Sequence, residues 1–600
     1  MRCIMNIKTE KKARKHRPHW IIRSQIKNAA FGIALMEVAG SVANIIDGII
    51  TSHFLGSTAL AASGMMGICF TVLAVISGVF SAGTQQICCN EIGRGDVKSA
   101  NRIFSTTILV VLVLSILITI LGVGGADWIA TASGASPSMP ELHRNARDYA
   151  RGFLLGAPAH LFIAILIPEV QLEGKNKRIT VSIVALTVAD IVFDLLNVKV
   201  FHGGLLGMGI ATSASYYVSA IILFMTFLKK ESLFKIRLFQ PDFHTLPTVL
   251  QIGLPRATKR VGNLIRPFII NRLILLVGGS AAMAAFSVEQ NVRYLTESPG
   301  VGLSGAILLL IGMFLGEKDQ RAIKRTVKIT WQYIVLMIGT LAVVYFIMAP
   351  WITQLYLPMD SPAYPLAIVI LRCHALSLPF LAFNEFYISL VQAVGKLKTA
   401  HVVTLLNKLI YIVLLSFMLQ TFYGVYGLWA AIPLSEILLC VSILLVNAVK
   451  NRKNQLRESA FSLLDDVETN SDSNIEIYIN SKDQVSNAIL QLKEFCEKRS
   501  LELKTSYHIQ LFFEEIILLA IEHGFQEKKN PIIAVRIVKD KDDIILRVKD
   551  NCRPFNVSEQ KAMYDEVSTG KYMGIQIISK MAKEVSYINA MNLNQFVIKI

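Results

Sequence analysis

Charged residues are scarce in this 600-residue chain, in which they make up 17% against 53% hydrophobic residues, with a mean hydropathy of +0.50. No lysine or arginine lies between Lys27 and Arg94. This scarcity excludes, for most of the chain, the series of about four soluble domains that its length would suggest. Apolar runs of about 20 residues, each able to cross a hydrocarbon layer of roughly 30 Å, recur along the first 450 residues. Twelve such runs predict twelve transmembrane helices.

Motifs for metal binding and for ATP-driven transport are also missing. The eight cysteines form no CxxC pair and no cluster with histidine, so neither a zinc site nor a disulfide framework is expected. The sequence contains no GxxxxGKS or GxxxxGKT motif, which argues against a primary ATP-driven pump. Residues 471–600 hold 18 basic and 18 acidic residues, so the net charge of +17 belongs to the preceding part. A basic nucleic-acid-binding domain is therefore not expected.

Basic residues are concentrated at every second connection between the apolar runs, beginning with the N-terminal tail at 1–27. The other basic connections are 93–102, 174–178, 229–237, 316–325, 395–398 and 450–457. The third connection departs from this pattern, because it contains Arg144, Arg147 and Arg151. Since short cytoplasmic loops accumulate lysine and arginine, we expect a multi-pass protein of the plasma (inner) membrane with both termini in the cytoplasm.

Short sequences in the membrane part return after an offset of 220 to 223 residues. The pairs are GSTALAAS (56–63) with GSAAMAAF (279–286), IGRGDVKSANR (92–102) with LGEKDQRAIKR (315–325), QLEGKNK (171–177) with QAVGKLK (392–398), and GLLGMGIATSAS (204–215) with GVYGLWAAIPLS (424–435). Four echoes in the same order predict two homologous six-helix halves. Duplicated secondary transporters bind their substrates near the midplane between the halves. A channel and a membrane-embedded enzyme remain alternatives.

Acidic residues interrupt the apolar runs of the first half. Asp47 lies within ANIIDGII at 43–50, and Asp190 and Asp194 are four residues apart, so both face one side of a helix. An ionised aspartate at the centre of a spanning helix costs roughly 2.5–3.5 kcal/mol. These groups therefore need protons, a bound cation or water. The alternatives are that Asp47 ends its helix at the outer interface and that Asp194 lies at the outer end of its helix.

The membrane part resembles the multidrug and toxic compound extrusion (MATE) family over residues 25–448. The resemblance rests on DGIITSHFLGSTALAASG at 47–64, EIGRGDVKSANRIF at 91–104 and the paired GK turns after the fourth and tenth helices. It implies a secondary antiporter in the lipid bilayer that exports small amphipathic, often cationic, compounds against a Na⁺ or H⁺ gradient and requires no cofactor.

The resemblance also implies a cation-coupling site in the first half. The matching positions are Asp47, Asp190, Asp194 and Thr212. Asp190 departs from the family pattern, because relatives carry an amide there. The choice between Na⁺ held at Asp47, Asp190 and Asp194 and H⁺ at the same groups therefore stays open. Glu385 in the second half is a secondary candidate for binding a cation or the substrate.

Other charges of the second half are interpreted as structural. Glu289, Arg293 and Glu297 follow one another at intervals of four residues, so they can neutralise one another along one helix face. Arg372 and His374 are placed near the outer interface. With these assignments, the sequence predicts an acidic or neutral midplane.

The last part of the chain reads as an α+β domain with alternating strands. EEIILLAIEHGF (514–525), VKDNCRPF (548–555) and GKYMGIQIISKMAKEVSY (570–587) resemble, in order, the nucleotide boxes of the anti-sigma-factor branch of the GHKL ATPases. Glu515 falls on the general-base position and Asp550 on the adenine-reading position. Gly570, Lys571 and Gly574 fall in the phosphate turn.

The departures from the GHKL pattern affect catalysis. Leu519 replaces the asparagine that would hold Mg²⁺, and leucine offers no oxygen to a metal. Cys552 replaces a glycine of the adenine box. We therefore expect a degenerate regulatory domain without ATPase or kinase activity. Weak ATP binding through Asp550 and Lys571, binding of a cytosolic protein, and no ligand at all are the open alternatives.

Together these patterns predict a polytopic α-helical membrane protein with twelve transmembrane helices in two six-helix repeats, followed by a C-terminal α+β (GHKL ATPase-like sandwich) soluble domain. The expected domains are 1–27 (basic tail), 28–228 (first lobe), 229–245 (linker), 246–449 (second lobe), 450–474 (polar linker) and 475–600 (GHKL ATPase-like domain). Antiport is the leading function. The alternatives are flipping of a lipid-linked substrate, which would need a strongly cationic cavity, and signalling by a membrane-anchored, anti-sigma-like kinase.

Overall fold

The first 451 residues are almost entirely helical in this computed structural model, which describes residues 2–135, 137–236, 241–451, 475–524, 531–540, 543–555, 557–565 and 572–600. The helices are α1 (Arg2–Leu55), α2 (Ser57–Met65), α3 (Gly67–Arg94), α4 (Val97–Gly124), α5 (Ala126–Ala132), α6 (Pro140–Leu154), α7 (Ala157–Leu172), α8 (Asn176–Leu196), α9 (Gly204–Phe224), α10 (Leu246–Gly316), α11 (Gln320–Tyr333), α12 (Gly339–Gln354), α13 (Ala363–Ala393), α14 (Leu397–Leu405) and α15 (Tyr411–Asn451). We call α1–α9 the first lobe and α10–α15 the second lobe.

Nine helical segments within the described ranges are long and apolar enough to cross a membrane, or ten if the bent pair α6 and α7 is one span. Two of them, Phe243–Gly316 and Leu397–Val449, have 74 and 53 residues, which is enough for two crossings each. Each contains one glycine with non-helical angles, Gly279 at φ 61° and Gly424 at φ 56°. Counting the bent pair α6 and α7 as one span and each of the two broken segments as two spans gives twelve, the number that the sequence predicts.

The backbone repeats the duplication seen in the sequence. Positive φ angles recur in four pairs at the offsets of the sequence echoes: Gly56 with Gly279, Gly95 with Lys318, Gly174 with Gly395, and Gly204 with Gly424. The helix starts correspond as well, because Asp96 accepts a hydrogen bond from the Ser99 amide and Asp319 accepts one from the Ala322 amide. Such side-chain caps satisfy amides at the first turn of a helix. The two lobes therefore bend and restart their helices at equivalent places.

The two lobes meet most closely where α3 of the first packs on α10 of the second. A Cβ built on Gly83 would overlap the Val249 carbonyl, and one built on Gly253 would overlap the Val79 carbonyl. Near the C-terminal ends of both helices, Gly93 lies against the Met313 carbonyl and Gly316 lies against the Asn90 carbonyl. Backbone contacts this close need residues without a side chain. Glycine therefore lets the lobes close together over this half of the helices.

One end of the helical part, which we call the basic face, carries the turns at 93–96, 172–176 and 317–319. The third connection, which holds three arginines, lies at the other end, and nearby aspartates neutralise its positive charge. Arg147 and Arg151 pair with Asp127 at 3.6 and 3.1 Å, and Arg144 and Arg147 pair with Asp148. The exception to the charge pattern of the sequence is therefore a set of ion pairs.

Residues 475–600, here called the tail domain, form an antiparallel sheet in the order β1-β2-β3-β5-β4. The strands are β1 (Ile475–Ile479), β2 (Ile533–Asp540), β3 (Asp543–Asp550), β4 (Glu584–Ala590) and β5 (Leu593–Lys599). The helices are α16 (Val485–Lys498), α17 (Leu503–Gly524), α18 (Val557–Tyr564) and α19 (Met573–Met581). Alternate strand residues such as Val535 and Leu546 join Phe512 and Phe513 of α17 in one core. The expected α+β architecture is confirmed.

Candidate cation-coupling site and other polar clusters

Three carboxyl groups of the first lobe lie inside its helices. Asp47 is not at a helix end, since α1 continues for two turns to Leu55. Asp190 and Asp194 lie in α8, where their exposed fractions are 2% and 0%. Asp194 is near the end of α8, but a π-helical turn at Asn197–Phe201 continues the helix and keeps the carboxyl group covered.

The structure brings these three groups together. The Asp47 carboxyl lies within hydrogen-bonding reach of both Asp190 and Asp194. Asp190 Oδ1 also accepts a hydrogen bond of 2.9 Å from Ser215 Oγ on α9. Within the described residues, no donor reaches Asp47 Oδ1 or either carboxylate oxygen of Asp194. Carboxyl groups this close repel one another when all are ionised, so a proton or a bound cation would stabilise the cluster.

Thr212 contributes differently from the expectation. Its hydroxyl donates to the Met208 carbonyl of its own helix at 3.2 Å. Ser215, three residues along the same helix face, makes the contact with Asp190. The sequence pattern pointed to this turn of α9, and the i, i+3 spacing was the signal that could have identified Ser215 as well.

The contacts among the three carboxyl groups are pairwise and share Asp47. In the part of the chain that the structure describes, no group of three or more His, Cys, Asp and Glu side chains is arranged to hold a metal ion. Asp47 instead bridges two separate partners, one turn apart on α8.

Glu385, the secondary candidate, lies between two lysines. Lys259 Nζ of α10 approaches Glu385 Oε2 at 2.7 Å, and Lys408 Nζ approaches Oε1 at 2.7 Å. The side chains of Glu385 and Lys408 are 5% and 6% exposed. Two lysines thus form ion pairs with one carboxylate. This arrangement fits a structural role for Glu385.

The structure corrects the interpretation of His374. Its ring is 1% exposed rather than interfacial, and Nδ1 lies 3.2 Å from Glu289 Oε1 while Nε2 lies 3.0 Å from Thr296 Oγ1. Arg293 pairs with Glu297 at 2.7 Å, as the helical spacing predicts. Arg293 also lies within electrostatic reach of Glu289, so the three charges neutralise one another as expected, and His374 is an additional partner of Glu289.

The sequence analysis did not consider three arginines of the second lobe, and the acidic or neutral midplane stays a prediction. Arg256, Arg260 and Arg266 lie in the first half of α10 and make no hydrogen bond or ion pair with the residues described. Arg256 is within electrostatic reach of Glu37, and Arg260 is within reach of His160, both on the first lobe. Arg256 and Arg260 therefore bring positive charge to the junction between the lobes, whereas Arg266 lies near the second-lobe carboxylates Glu289, Glu297 and Glu436.

In the tail domain, the residues of the degenerate nucleotide boxes also lie close together. The Glu515 carboxylate packs against Gly574, where a Cβ would overlap its Oε2 atom. Asp550 Oδ1 accepts hydrogen bonds from Asn594 Nδ2 at 2.7 Å and from the Cys552 amide at 2.8 Å. Leu519 is 7% exposed and belongs to the hydrophobic core. An apolar side chain thus occupies the predicted magnesium-binding position.

Two further residues of the predicted phosphate turn, Gly570 and Lys571, lie outside the described residues. Their assignment to a nucleotide site stays a prediction.

Comparisons with known proteins agree with these two parts. The family model described as MatE matches residues 33–196 and 258–417, and the model described as histidine kinase-like ATPase domain matches 479–598. The multidrug export protein MepA of Staphylococcus haemolyticus is 22% identical over 437 residues, covering 72% of this chain and 95% of that protein. MepA of Staphylococcus aureus is 21% identical over 438 residues, covering 71% and 95%.

Solved structures share the helical fold. A crystal structure of MATE in complex with MaL6 superposes with a TM-score of 0.67 at 22% identity, covering 74% of this chain and 97% of that one. The outward-facing conformation of a multidrug resistance MATE family transporter of the MOP superfamily gives the same TM-score and identity, over 74% and 96%. A MOP superfamily transporter from Pyrococcus furiosus, described as having a binding pocket of reverse polarity, superposes at 0.66.

Proposed function

This chain belongs to the MatE family, and from that premise we propose that it is a secondary antiporter that exports amphipathic compounds in exchange for an inward-moving cation. The observation that carries the proposal is the contact of Asp47 on α1 with Asp190 and Asp194 on α8. Without a cation these carboxylates repel one another, and binding of the cation removes the repulsion. An ion that binds two arrangements of the helices with different affinity shifts the equilibrium between them.

We propose H⁺ as the coupling ion, with Na⁺ as the alternative. The support is the pairwise contact of Asp47 with Asp190 and Asp194, since each pair of carboxyl groups can share a proton. A Na⁺ ion would instead be bound by oxygen atoms of these carboxylates together with further oxygen ligands.

The exported compounds are proposed to be amphipathic drugs or metabolites. The relatives named multidrug export proteins support this class. A cationic group on the substrate would be repelled by Arg256 and Arg260 on the second lobe, so we place it toward the acidic first lobe. The same arginines favour a second candidate function, the flipping of a lipid-linked anionic compound.

The membrane topology is also part of the proposal. We place the protein in the plasma membrane with the basic face, both termini and the tail domain in the cytoplasm. The support is the concentration of lysine and arginine at this face.

We further propose that the tail domain is regulatory and not an enzyme. The support for this proposal is Leu519, whose apolar side chain occupies the position where the related ATPases bind magnesium. Signalling by a membrane-anchored kinase would need that metal.

The proposal can be tested by efflux from proteoliposomes with an imposed pH or Na⁺ gradient. Ethidium serves as a cationic amphiphilic probe and anilinonaphthalene sulfonate as an anionic one. We expect efflux that depends on the pH gradient. Dependence on Na⁺ alone would identify the alternative ion. Movement of the anionic probe that is indifferent to both gradients would favour flipping.

A Gly253→Val substitution is expected to block transport. The new side chain would meet the Val79 carbonyl of α3, so the lobes could not close on the half of the helices near the basic face. Gly339→Val is the matched control, because no atom lies within 4 Å of a Cβ built there. Distances between spin labels on the two lobes would report the closure. Normal closure and transport in Gly253→Val would contradict the assignment of this contact.

The purified chain is expected to show no Mg²⁺-dependent ATP hydrolysis above background. Leu519 supplies no ligand to the metal, and Mg²⁺ neutralises the charge that develops in phosphoryl transfer. The measurement is phosphate release with and without Mg²⁺, and the Glu515→Gln variant is the control for contaminating ATPases. Hydrolysis that is lost in Glu515→Gln would show that the domain is an active enzyme.

A further inference from the structure

The outer face of the tail sheet is unusually basic and is covered. Side chains alternate between the two faces of a strand, so Val535, Leu546 and Val548 point into the core of the tail domain. Arg536, Arg547 and Lys549 lie between them and point the other way. Arg547 is 4% exposed, although it does not belong to that core. The covering surface is the basic face of the membrane part.

The second lobe supplies acidic partners to this sheet face. Arg536 approaches Asp319 Oδ2 at 3.3 Å and donates to the Glu317 carbonyl at 3.2 Å. Lys549 Nζ approaches Glu317 Oε2 at 2.5 Å. Arg325 of α11 reaches in the opposite direction and binds both carboxylate oxygens of Glu476 on β1, at 3.2 and 3.1 Å.

The first lobe is held through its backbone. Arg547 Nη1 donates to the Gly93 carbonyl at 2.6 Å, the Met591 amide donates to the Leu172 carbonyl at 2.7 Å, and Asn592 Nδ2 donates to the Gly174 carbonyl at 3.0 Å. Met591 and Asn592 are the two turn residues of the β4–β5 hairpin and have φ angles of 52° and 61°. Such angles are uncommon for methionine. Both residues at the tip of this hairpin thus donate hydrogen bonds to the turn at 172–174.

The tail domain contacts both lobes close to the point where the lobes touch each other. Gly93 lies against the Met313 carbonyl at the ends of α3 and α10. Arg547 and Lys549, two residues apart on the same face of β3, bind Gly93 of the first lobe and Glu317 of the second. Residues i and i+2 of a strand are about 7 Å apart, and a hydrogen-bonded sheet cannot stretch. The helix ends cannot separate while both contacts persist.

We propose that the docked tail domain is an intramolecular lock that keeps the lobes closed at the basic face, and that transport requires its release from at least one lobe. The inference rests on the proposed alternating-access transport, in which this face opens in part of the cycle. The partner of the sheet face is the chain's own pair of lobes in the closed state.

The test uses full-length charge variants in proteoliposomes. Arg325→Glu and Glu476→Arg each place like charges together and are expected to undock the domain and raise efflux severalfold. The double variant with both substitutions exchanges the charges and is expected to return efflux to the wild-type rate. Lys498→Glu is the matched control, because Lys498 pairs with Glu494 at an exposed site on α16.

Undocking is measured independently by hydrogen exchange of the peptide that contains Met591, whose amide bonds to Leu172 only in the docked state. Faster exchange with unchanged or slower efflux would overturn the proposal. Slow exchange in a triple variant, Arg325→Glu with Arg536→Glu and Lys549→Glu, would also overturn it, because the ion pairs would then not hold the domain. No efflux from any variant, including undocked ones, would instead count against the proposed antiport.

Discussion

Asp47→Asn is expected to abolish gradient-driven efflux while the protein remains folded in the membrane. Asparagine keeps the size of the side chain and can still donate to Asp194, so the packing of α1 on α8 is preserved. It cannot bind a proton as a carboxylate can, and it carries no charge to attract Na⁺. The coupling ion therefore loses the group that touches both partners. The measurement is efflux of each probe under a pH gradient and, separately, under a Na⁺ gradient.

The comparison variant is Asp148→Asn, which removes a carboxylate that pairs with Arg144 and Arg147 away from the coupling site. Its efflux should equal that of the wild type. Asp190→Asn restores the amide that the family resemblance implies and should retain transport. Wild-type efflux by Asp47→Asn would remove Asp47 from the mechanism and favour gradient-independent flipping.

The cluster of carboxyl groups in the first lobe could be anticipated because its signal is local. Asp190 and Asp194 share a helix face by spacing alone, and Asp47 is conspicuous in an apolar run. The duplication was equally visible, since the glycine and aspartate positions that bend and cap the helices recur at fixed offsets. These features depend on residues close in sequence or on exact repetition.

The ion pairs of the second lobe could not be anticipated in this way. Lys259 and Glu385 are 126 residues apart in the sequence, and Lys259 lies in a helix with several other basic residues. A pattern along one helix does not say which charge on another helix it will meet. His374 was misplaced for the same reason, because its partner Glu289 lies on α10.

The docking of the tail domain on the lobes could not be predicted from the sequence, for a different reason. Arg536, Arg547 and Lys549 alternate with apolar residues, which is the usual pattern of a sheet with one face in water. Only the three-dimensional arrangement shows that the polar face meets Glu317 and Asp319. A charged strand face is therefore a weak guide to exposure when another domain of the same chain can cover it.

Glu385→Gln is expected to lower the stability of the membrane part by about 3–5 kcal/mol, the cost of removing one partner from a buried ion pair. The amide would leave Lys259 and Lys408 close together without a carboxylate between them, and Lys408 has little access to water. The measurement is thermal unfolding in detergent. A triple variant, Lys259→Met with Glu385→Leu and Lys408→Met, removes all three charges and should regain most of the loss, because apolar residues of similar volume can replace a buried ion cluster. A triple variant that is stable but does not transport would show that at least one of the three charges acts in transport as well as in stability. Unchanged stability of Glu385→Gln would show instead that the two lysines do not depend on its charge.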